Sequence, residues 1–206
     1  MLINNIINNV FETTIGDGTI LIPYFPTYIH YDYGYFGYIY TKTEIGVVRP
    51  VWINGIKFNI INKDKKYIFN NQKIKVGYCN QTEFSNDVRN NFTQDPLSPT
   101  KPFITSGITT VNNIFNWVTD TDNTWYEVMF DVPFLYDPLK GNLIVIWENR
   151  NGTYFEGTAN NPNSKCTTNN TYNSYYIYTD NHMPPVDERG NISKEGRPNI
   201  KLILSV

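Results

Sequence analysis

The sequence predicts an all-β protein, an antiparallel two-sheet β-sandwich of jelly-roll-like form with an N-terminal arm. Aromatic residues make up 16% of the chain, and together with abundant Thr, Ile and Val they favour pleated, half-buried strands over helices. Short clusters of Gly, Pro and Asn recur along the whole chain, which distributes turns as an all-β fold requires. With 206 residues, the chain is long enough to enclose the core of one large sandwich.

Residues 1–14 are predicted to form a docking arm, and residues 15–206 the sandwich. The first ten residues alternate apolar pairs with Asn pairs, a pattern too polar for a core helix. Apolar residues that find few partners in their own domain must pack on a neighbour or leave the terminus frayed. We expect the first outcome, so that deletion of residues 1–14 leaves a folded sandwich that no longer assembles. The assembly contacts are assigned to Ile3, Ile6, Ile7 and Val10.

Apolar and polar residues alternate in the predicted strands. The alternation is clearest in residues 52–61, where every second residue from Ile56 to Ile60 is apolar, as in a half-buried antiparallel strand. Residues two apart share one face of a strand. Eight side chains are therefore predicted to point inward: Ile56, Phe58, Val128, Phe130, Leu143, Val145, Leu202 and Leu204.

Turn and end signals complete the predicted pattern. Residues 142–147 form a nearly continuous apolar run, so this strand is placed centrally in its sheet. Pro133 is expected to end the strand that begins near Thr124, because proline cannot donate to the hydrogen-bond ladder. Thr41 and Glu44 have the spacing of a capping box, which predicts one helical turn before Gly46. Further strands are predicted at residues 20–22, 35–40, 73–79 and 199–205.

Composition argues against two classes of partner. The 17 basic and 19 acidic residues give a net charge of -2 without long runs of either sign, unlike the basic surface of a nucleic-acid-binding protein. No apolar stretch approaches the roughly 18 residues that cross a bilayer, and the segment after Met1 does not have the form of a secretory signal. We expect no nucleic-acid partner and no membrane insertion.

The sequence carries no common catalytic motif. H-E-x-x-H, G-x-S-x-G, the P-loop and the dinucleotide glycines are absent, and His30 and His182 lie far apart. Asp120 and Asp122 are expected in a polar hairpin turn, because the Gly and the distal Glu of a calcium loop are missing. We expect no catalytic centre, no metal and no cofactor. A pair of carboxylates acting on a glycan is the option that sequence leaves open.

The two cysteines are expected to be free thiols. Cys79 falls in a predicted strand and Cys166 in a predicted loop. Two cysteines alone cannot build a four-ligand zinc site, and without export a pair like this is more often reduced than bridged. A single disulfide is the alternative.

The Tyr-rich segment from Tyr24 to Tyr40 is the most suggestive stretch for binding. Tyrosine is a rigid, amphipathic contact residue that stacks on sugars and is enriched in protein interfaces. The alternative is that alternate rings cover one sheet face and are simply buried. The candidate ligand-binding surface comprises Tyr28, Tyr31, Tyr33 and Tyr35.

An ordered series of short motifs runs through most of the chain from Gly16 onward. It includes Gly16-x-Gly18-Thr19, Ile39-Tyr40-Thr41-x-x-Glu44-Ile45, Ile53-x-Gly55-Ile56-x-Phe58, Trp125-Tyr126-Glu127-Val128, Asn142-Leu143-Ile144-Val145 and Arg197-Pro198-Asn199-Ile200. The series resembles the adhesin-like β-sandwich module of Bacteroidetes surface proteins, as found in fibre and decoration proteins of crAss-like phages.

The resemblance implies a phage virion structural protein, a head or tail fibre or decoration component that presents its sandwich on the particle surface. Such a protein is made in the host cytoplasm and reaches the outside by assembly and lysis, in keeping with the lack of an export signal after Met1. The implied partners are other virion proteins, further copies in a homo-oligomer, and a host-surface glycan or protein. The alternative is a bacterial cell-surface adhesin or carbohydrate-binding module, and a glycan hydrolase is a more distant one.

Overall fold

The computed structural model describes residues 9–62, 66–93, 104–120, 124–155, 162–168 and 170–206. Within these ranges the chain forms thirteen strands and one short helix, α1 (Lys42–Ile45). The strands are β1 (Val10–Ile15), β2 (Ile20–Ile22), β3 (Tyr33–Tyr40), β4 (Val51–Ile61), β5 (Tyr67–Cys79), β6 (Thr105–Thr119), β7 (Trp125–Tyr136), β8 (Asn142–Asn149), β9 (Asn163–Thr167), β10 (Ser174–Thr179), β11 (Asn191–Ser193), β12 (Arg197–Pro198) and β13 (Ile200–Ser205).

The strands form two antiparallel sheets. The first sheet has the order β1-β13-β4-β9-β12, with β7 also paired to β4 and β2 to β9. The second sheet has the order β11-β10-β3-β8-β5-β6. The two sheets pack face to face around one large apolar cluster. The predicted all-β, two-sheet sandwich is confirmed.

The main core lies between the two sheets. In the first sheet, Leu202 of β13 stands opposite Ile56 of β4, which stands opposite Val128 of β7. All eight side chains predicted to point inward are buried, and even Phe130, the most exposed of them, is only 8% exposed. Burying such a side chain is worth roughly 1.5–3 kcal/mol. The period-two interpretation of these strands is therefore confirmed.

A second apolar cluster covers the outer face of the second sheet. Phe84, Val88 and Phe92, from the segment after β5, pack over Ile144 and Ile146 of β8. The second sheet is thus covered on both faces, which explains why all eight residues of β8 are buried. Because β8 lies between β3 and β5, its predicted central position is confirmed.

The predicted helical turn is present as α1. Thr41 is its N-cap, and its hydroxyl accepts a hydrogen bond from the Glu44 backbone N–H at 3.3 Å. The Glu44 carboxylate accepts one in return from the Thr41 backbone N–H at 2.8 Å. Gly46 ends the turn with a φ of 73°, a left-handed conformation that glycine adopts without strain.

Pro133 does not end its strand, so that prediction is wrong. β7 continues through Pro133 to Tyr136. The pairing of β7 with β4 skips residues 130–133, so these residues form a bulge. In a bulge the missing N–H of proline costs no ladder hydrogen bond.

The first sheet begins at Val10, inside the segment predicted to be an arm. β1 pairs with β13 from Val10, opposite Ser205, to Ile15, opposite Ile200. The boundary predicted at residue 15 is therefore five residues too late, because Val10 to Thr14 belong to the sandwich. The Val10 side chain is 63% exposed and remains accessible to a neighbour. Three of the four assembly residues, Ile3, Ile6 and Ile7, lie outside the described residues.

This boundary changes the expected effect of truncation. A chain lacking residues 1–14 should unfold with a free energy about 1–3 kcal/mol lower than a chain lacking residues 1–9, because the longer deletion removes most of β1 and its hydrogen bonds to β13. The difference stays moderate because the side chains of Val10, Phe11 and Glu12 are largely exposed. Urea denaturation of the two truncated proteins measures it. Equal stabilities would mean that β1 contributes nothing to the sheet.

Candidate binding surface

Five tyrosines from two parts of the chain form one partly exposed group, the tyrosine cluster. Tyr24, Tyr28 and Tyr31 lie in the loop that follows β2, and Tyr176 and Tyr178 lie on β10. All five side chains are half-buried. The cluster therefore offers aromatic surface and phenol hydroxyls at the exterior of the sandwich.

The rings of the tyrosine cluster contact one another in a closed circuit. Ring centroids lie 5.1 Å apart for Tyr24 and Tyr176, and 5.7 Å apart for Tyr176 and Tyr178. The circuit closes through Tyr28, at 5.1 Å from Tyr178 and 5.9 Å from Tyr24. Tyr31 joins it at 4.2 Å from Tyr178. Because each ring rests on at least two others, no ring can turn freely.

The topology explains why these rings remain partly exposed. Tyr176 and Tyr178 face the interior side of the second sheet, since Tyr176 stands opposite the buried Phe36 of β3. Only the three-residue strand β11 lies beyond β10 in this sheet. The two rings therefore lie at the open edge of the sandwich, and the loop carrying Tyr24, Tyr28 and Tyr31 packs across that edge.

The loop that carries three of the tyrosines is anchored at several points. Phe25 and Ile29 are buried, and the Phe25 carbonyl accepts a hydrogen bond from the Ser164 hydroxyl at 2.5 Å. The Tyr31 carbonyl accepts another from the Asn149 side-chain amide at 3.1 Å. A surface that is already ordered loses little conformational entropy when it binds a ligand.

The phenols of Tyr24, Tyr28, Tyr176 and Tyr178 stay protonated at neutral pH. Burial, together with a hydrogen bond that its hydroxyl donates to Glu195, raises the pKa of Tyr24. Burial also raises the pKa of Tyr28, Tyr176 and Tyr178. These hydroxyls are therefore neutral groups that can both donate and accept hydrogen bonds.

The four tyrosines predicted to form a ligand surface do not form one surface. Tyr28 and Tyr31 belong to the tyrosine cluster. Tyr33 and Tyr35 lie on β3 and face the outer side of the second sheet, where Tyr35 is only 8% exposed within the second apolar cluster. Two other members of the long Tyr-rich segment, Tyr38 and Tyr40, are fully buried in the main core. The alternative of buried rings thus holds for much of the segment.

The remaining candidates for chemistry do not converge. The His30 ring lies 5.1 Å from Tyr28, edge to face, and His182 is in the exposed segment after β10. Asp122 lies outside the described residues. Within the described ranges no group of three or more His, Cys, Asp or Glu residues could hold a metal ion.

Both cysteines are free and buried. Cys79 ends β5, as predicted for a strand, whereas Cys166 lies in β9, so the predicted loop there is wrong. Burial raises the pKa of the Cys79 thiol to about 12 and also raises that of Cys166. Thiols that remain protonated are poor nucleophiles and poor metal ligands.

No family model matches the chain, and comparison with curated proteins and with solved structures finds no match. In the part of the chain that the structure describes, no helix has the length and apolarity needed to cross a membrane. Any assignment of function therefore depends on the geometry of the chain itself.

Proposed function

We propose that the chain is a phage virion structural protein, a head or tail fibre or decoration component, whose tyrosine cluster contacts carbohydrate on the host surface. The observation that carries the attachment part of this proposal is the tyrosine cluster, five partly exposed rings at the edge of the sandwich. Sugar rings pack their C–H faces against aromatic side chains, and their hydroxyls exchange hydrogen bonds with phenols.

The physical properties of the cluster suit attachment. Tyrosine supplies a large, rigid contact area at a low cost in side-chain entropy. The contacts among Tyr28, Tyr31 and Tyr178 hold the rings in place before a ligand arrives. Weak binding at one such surface becomes strong when many copies on a particle engage one cell.

An apolar row on the outer face of the first sheet supports the assembly part of the proposal. Val10, Trp52 and Leu135 belong to one register line across β1, β13, β4 and β7, with Ser205 between the first two. All three are exposed, Trp52 by 44%, and the exposed Met129, paired with Gly55, lies two register lines further along. Contiguous exposed apolar side chains that include a tryptophan are typical of protein contacts. This row, with the N-terminal segment, would face other virion proteins or further copies of the chain.

Substitutions in the tyrosine cluster test the attachment function. Tyr31→Ala and Tyr178→Ala are each expected to weaken binding to an array of bacterial surface glycans about threefold to tenfold, because one aromatic contact is worth roughly 0.5–1.5 kcal/mol. Tyr33→Ala is the matched control, since Tyr33 is partly exposed but lies outside the cluster. Absence of glycan binding by the unchanged protein, or an equal loss in all three variants, would contradict the proposal.

The virion assignment is tested separately. The protein should be present in stoichiometric amounts in purified phage particles, measured by quantitative mass spectrometry. Its absence from particles, together with glycan binding that depends on Tyr31 and Tyr178, would favour a bacterial adhesin or carbohydrate-binding module instead.

A further inference from the structure

The apolar row on the outer face of the first sheet is uncovered by the described residues. The row runs from Val10 of β1 past Ser205 of β13 to Trp52 of β4 and Leu135 of β7. Trp52 and Leu135 are each 44% exposed. Exposed apolar side chains in one row, with a tryptophan among them, are typical of a surface that takes an occupant.

The chain outside the described residues begins beside this row. Residues 1–8 precede Asn9, and Val10, the first residue of β1, is also the first member of the row. None of these eight residues carries a charged side chain, and four of them are large and aliphatic, namely Leu2, Ile3, Ile6 and Ile7. An apolar segment is therefore attached at one end of an exposed apolar row.

Distances across the sheet match the spacing of the segment. Neighbouring strands lie about 4.8 Å apart, so Trp52 is about 10 Å and Leu135 about 14 Å from Val10 along the row. An extended chain advances about 3.3 Å per residue, so Ile7 is about 10 Å and Ile6 about 13 Å from Val10 along the segment. The apolar pair of the segment thus comes level with the two exposed apolar residues of the row.

The polar residues match as well. Asn8 and Asn9 separate Ile7 from Val10 and come level with Ser205. At that point the Asn54 side-chain amide donates a hydrogen bond to the Ser205 hydroxyl at 2.9 Å, so this part of the row is polar. Asparagine also accepts the turn conformations that the chain needs to leave β1 and cross the sheet.

We propose that residues 1–8 of the same chain cross the apolar row in the isolated protein, so that Ile7 and Ile6 cover Trp52 and Leu135. A tethered segment competes for the row at a millimolar effective concentration, whereas a second copy competes only at its concentration in solution. The occupant is therefore the segment of the same chain. In the assembly, a step that rests on the function proposed above, a neighbouring protein displaces the segment and frees both the segment and the row for contacts between proteins.

Disulfide trapping on the intact chain tests the position of the segment. Ile6→Cys combined with Leu135→Cys should form a disulfide within one molecule, seen as a monomer of altered mobility on non-reducing electrophoresis. The native Cys79 and Cys166 are buried thiols with raised pKa values and should not compete. Ile6→Cys combined with Val48→Cys is the matched control, because Val48 is 93% exposed in the loop that leads into β4 but lies off the row.

Three outcomes of the trapping experiment would overturn the proposal. Equal disulfide formation at Leu135 and at Val48 would mean that the segment moves freely beside the sheet. A disulfide that joins two molecules would make a second copy the occupant of the row. Absence of both disulfides would mean that the segment lies elsewhere.

Fluorescence of Trp52 gives an independent, local measure. A local probe is needed because the entropy cost of ordering the segment offsets much of the gain from burial, so global stability changes little. Trp52 is the most exposed of the four tryptophans. Deletion of residues 1–8 should raise the acrylamide quenching constant roughly twofold, because a ring packed against apolar side chains is shielded from the quencher.

Two variants define the origin of this signal. Replacing both Ile6 and Ile7 with Asn should raise quenching as the deletion does, without shortening the chain. In a Trp52→Phe background neither change should have an effect. Quenching that is the same with and without residues 1–8 would overturn the covered row. All these measurements use the isolated protein, so their failure leaves the glycan and virion tests as they stand, and absence of the protein from phage particles leaves the covered row as it stands.

Discussion

A Trp147→Ala variant is expected to lose about 3–5 kcal/mol of unfolding free energy. Trp147 is completely buried on β8, an inner strand of the second sheet, and its ring lies 5.0 Å from Trp117 and 5.4 Å from Phe58. Its indole N–H donates to Oε1 of Gln72 at 2.7 Å. Truncation therefore leaves both a large cavity and a buried amide oxygen that has lost its donor. Urea denaturation followed by circular dichroism measures the loss.

Two further variants separate the causes. Trp52→Ala makes the same truncation at an exposed position of β4 and should change stability by only about 0.5 kcal/mol. Trp147→Phe keeps an aromatic ring but removes the N–H that Gln72 accepts, so we expect an intermediate loss of roughly 1–3 kcal/mol. If Trp147→Ala were no more costly than Trp52→Ala, the centre of the sandwich would not be where the structure places it.

Replacing Glu44 with Gln is expected to lower the unfolding free energy by about 3 kcal/mol at pH 7. This is the lower end of the range of losses observed when one partner of a buried ion pair is removed. The buried guanidinium of Arg197 donates to the Glu44 carboxylate, at 2.6 Å from Nη2 and 3.1 Å from Nη1, and stacks 4.3 Å above the Tyr40 ring. Without the carboxylate, the positive charge of Arg197 remains in the interior with no opposite charge beside it. The amide of Gln still accepts one hydrogen bond, which limits the loss.

The same pair predicts a dependence on pH. Burial pushes the pKa of the Glu44 carboxyl upward, but the hydrogen bonds and charge of Arg197, with the hydrogen bonds of Thr41, outweigh burial and lower it. The stabilisation is therefore complete above the ordinary pKa of 4.5 and is lost as the pH falls through the lower pKa of the folded state.

A denaturation series from pH 7 to pH 3 on the unchanged protein and on Glu44→Gln checks this sign. The stability difference between the two proteins should be constant at neutral pH and shrink toward zero in acid. A difference that persists unchanged at pH 3 would mean that the carboxylate charge is not what Arg197 requires.

Local patterns were sufficient to predict much of the sandwich. Ile56 and Phe58 are buried, while Lys57, between them, forms surface ion pairs with Glu12 and Glu127. In this strand an apolar residue therefore indicates the core-facing side and a polar residue the solvent-facing side. The capping box of Thr41 lies within a single turn of chain. In both cases all the information is contained in a few neighbouring residues.

Other elements are not visible in local patterns. β6 carries polar residues along much of its length, including Asn112, whose side-chain amide donates to the Met129 carbonyl of β7 at 2.8 Å. The strand β6 is held in the sheet by its pairing with β5 along one edge. Because it has no alternating apolar face, its sequence shows no clear period-two pattern. The alternation of Tyr176 and Tyr178 was a usable signal for β10. The contact of Tyr178 with Tyr31, however, depends on the topology of the fold, because the two residues lie far apart in the sequence.

β13 occupies the middle of the first sheet, between β1 and β4, yet it is the last of the thirteen strands to be synthesised. While the chain is still growing, β1 and β4 have a gap between them and their apolar faces stay open to water. Closure of the first sheet must therefore wait until Ile200–Ser205 have left the ribosome. A product of premature termination that stops before Ile200 would carry two unpaired strand edges, the form of β-structure most prone to aggregation. Folding of this protein is thus expected to finish after synthesis of β13, and cells that produce it in quantity depend on complete translation.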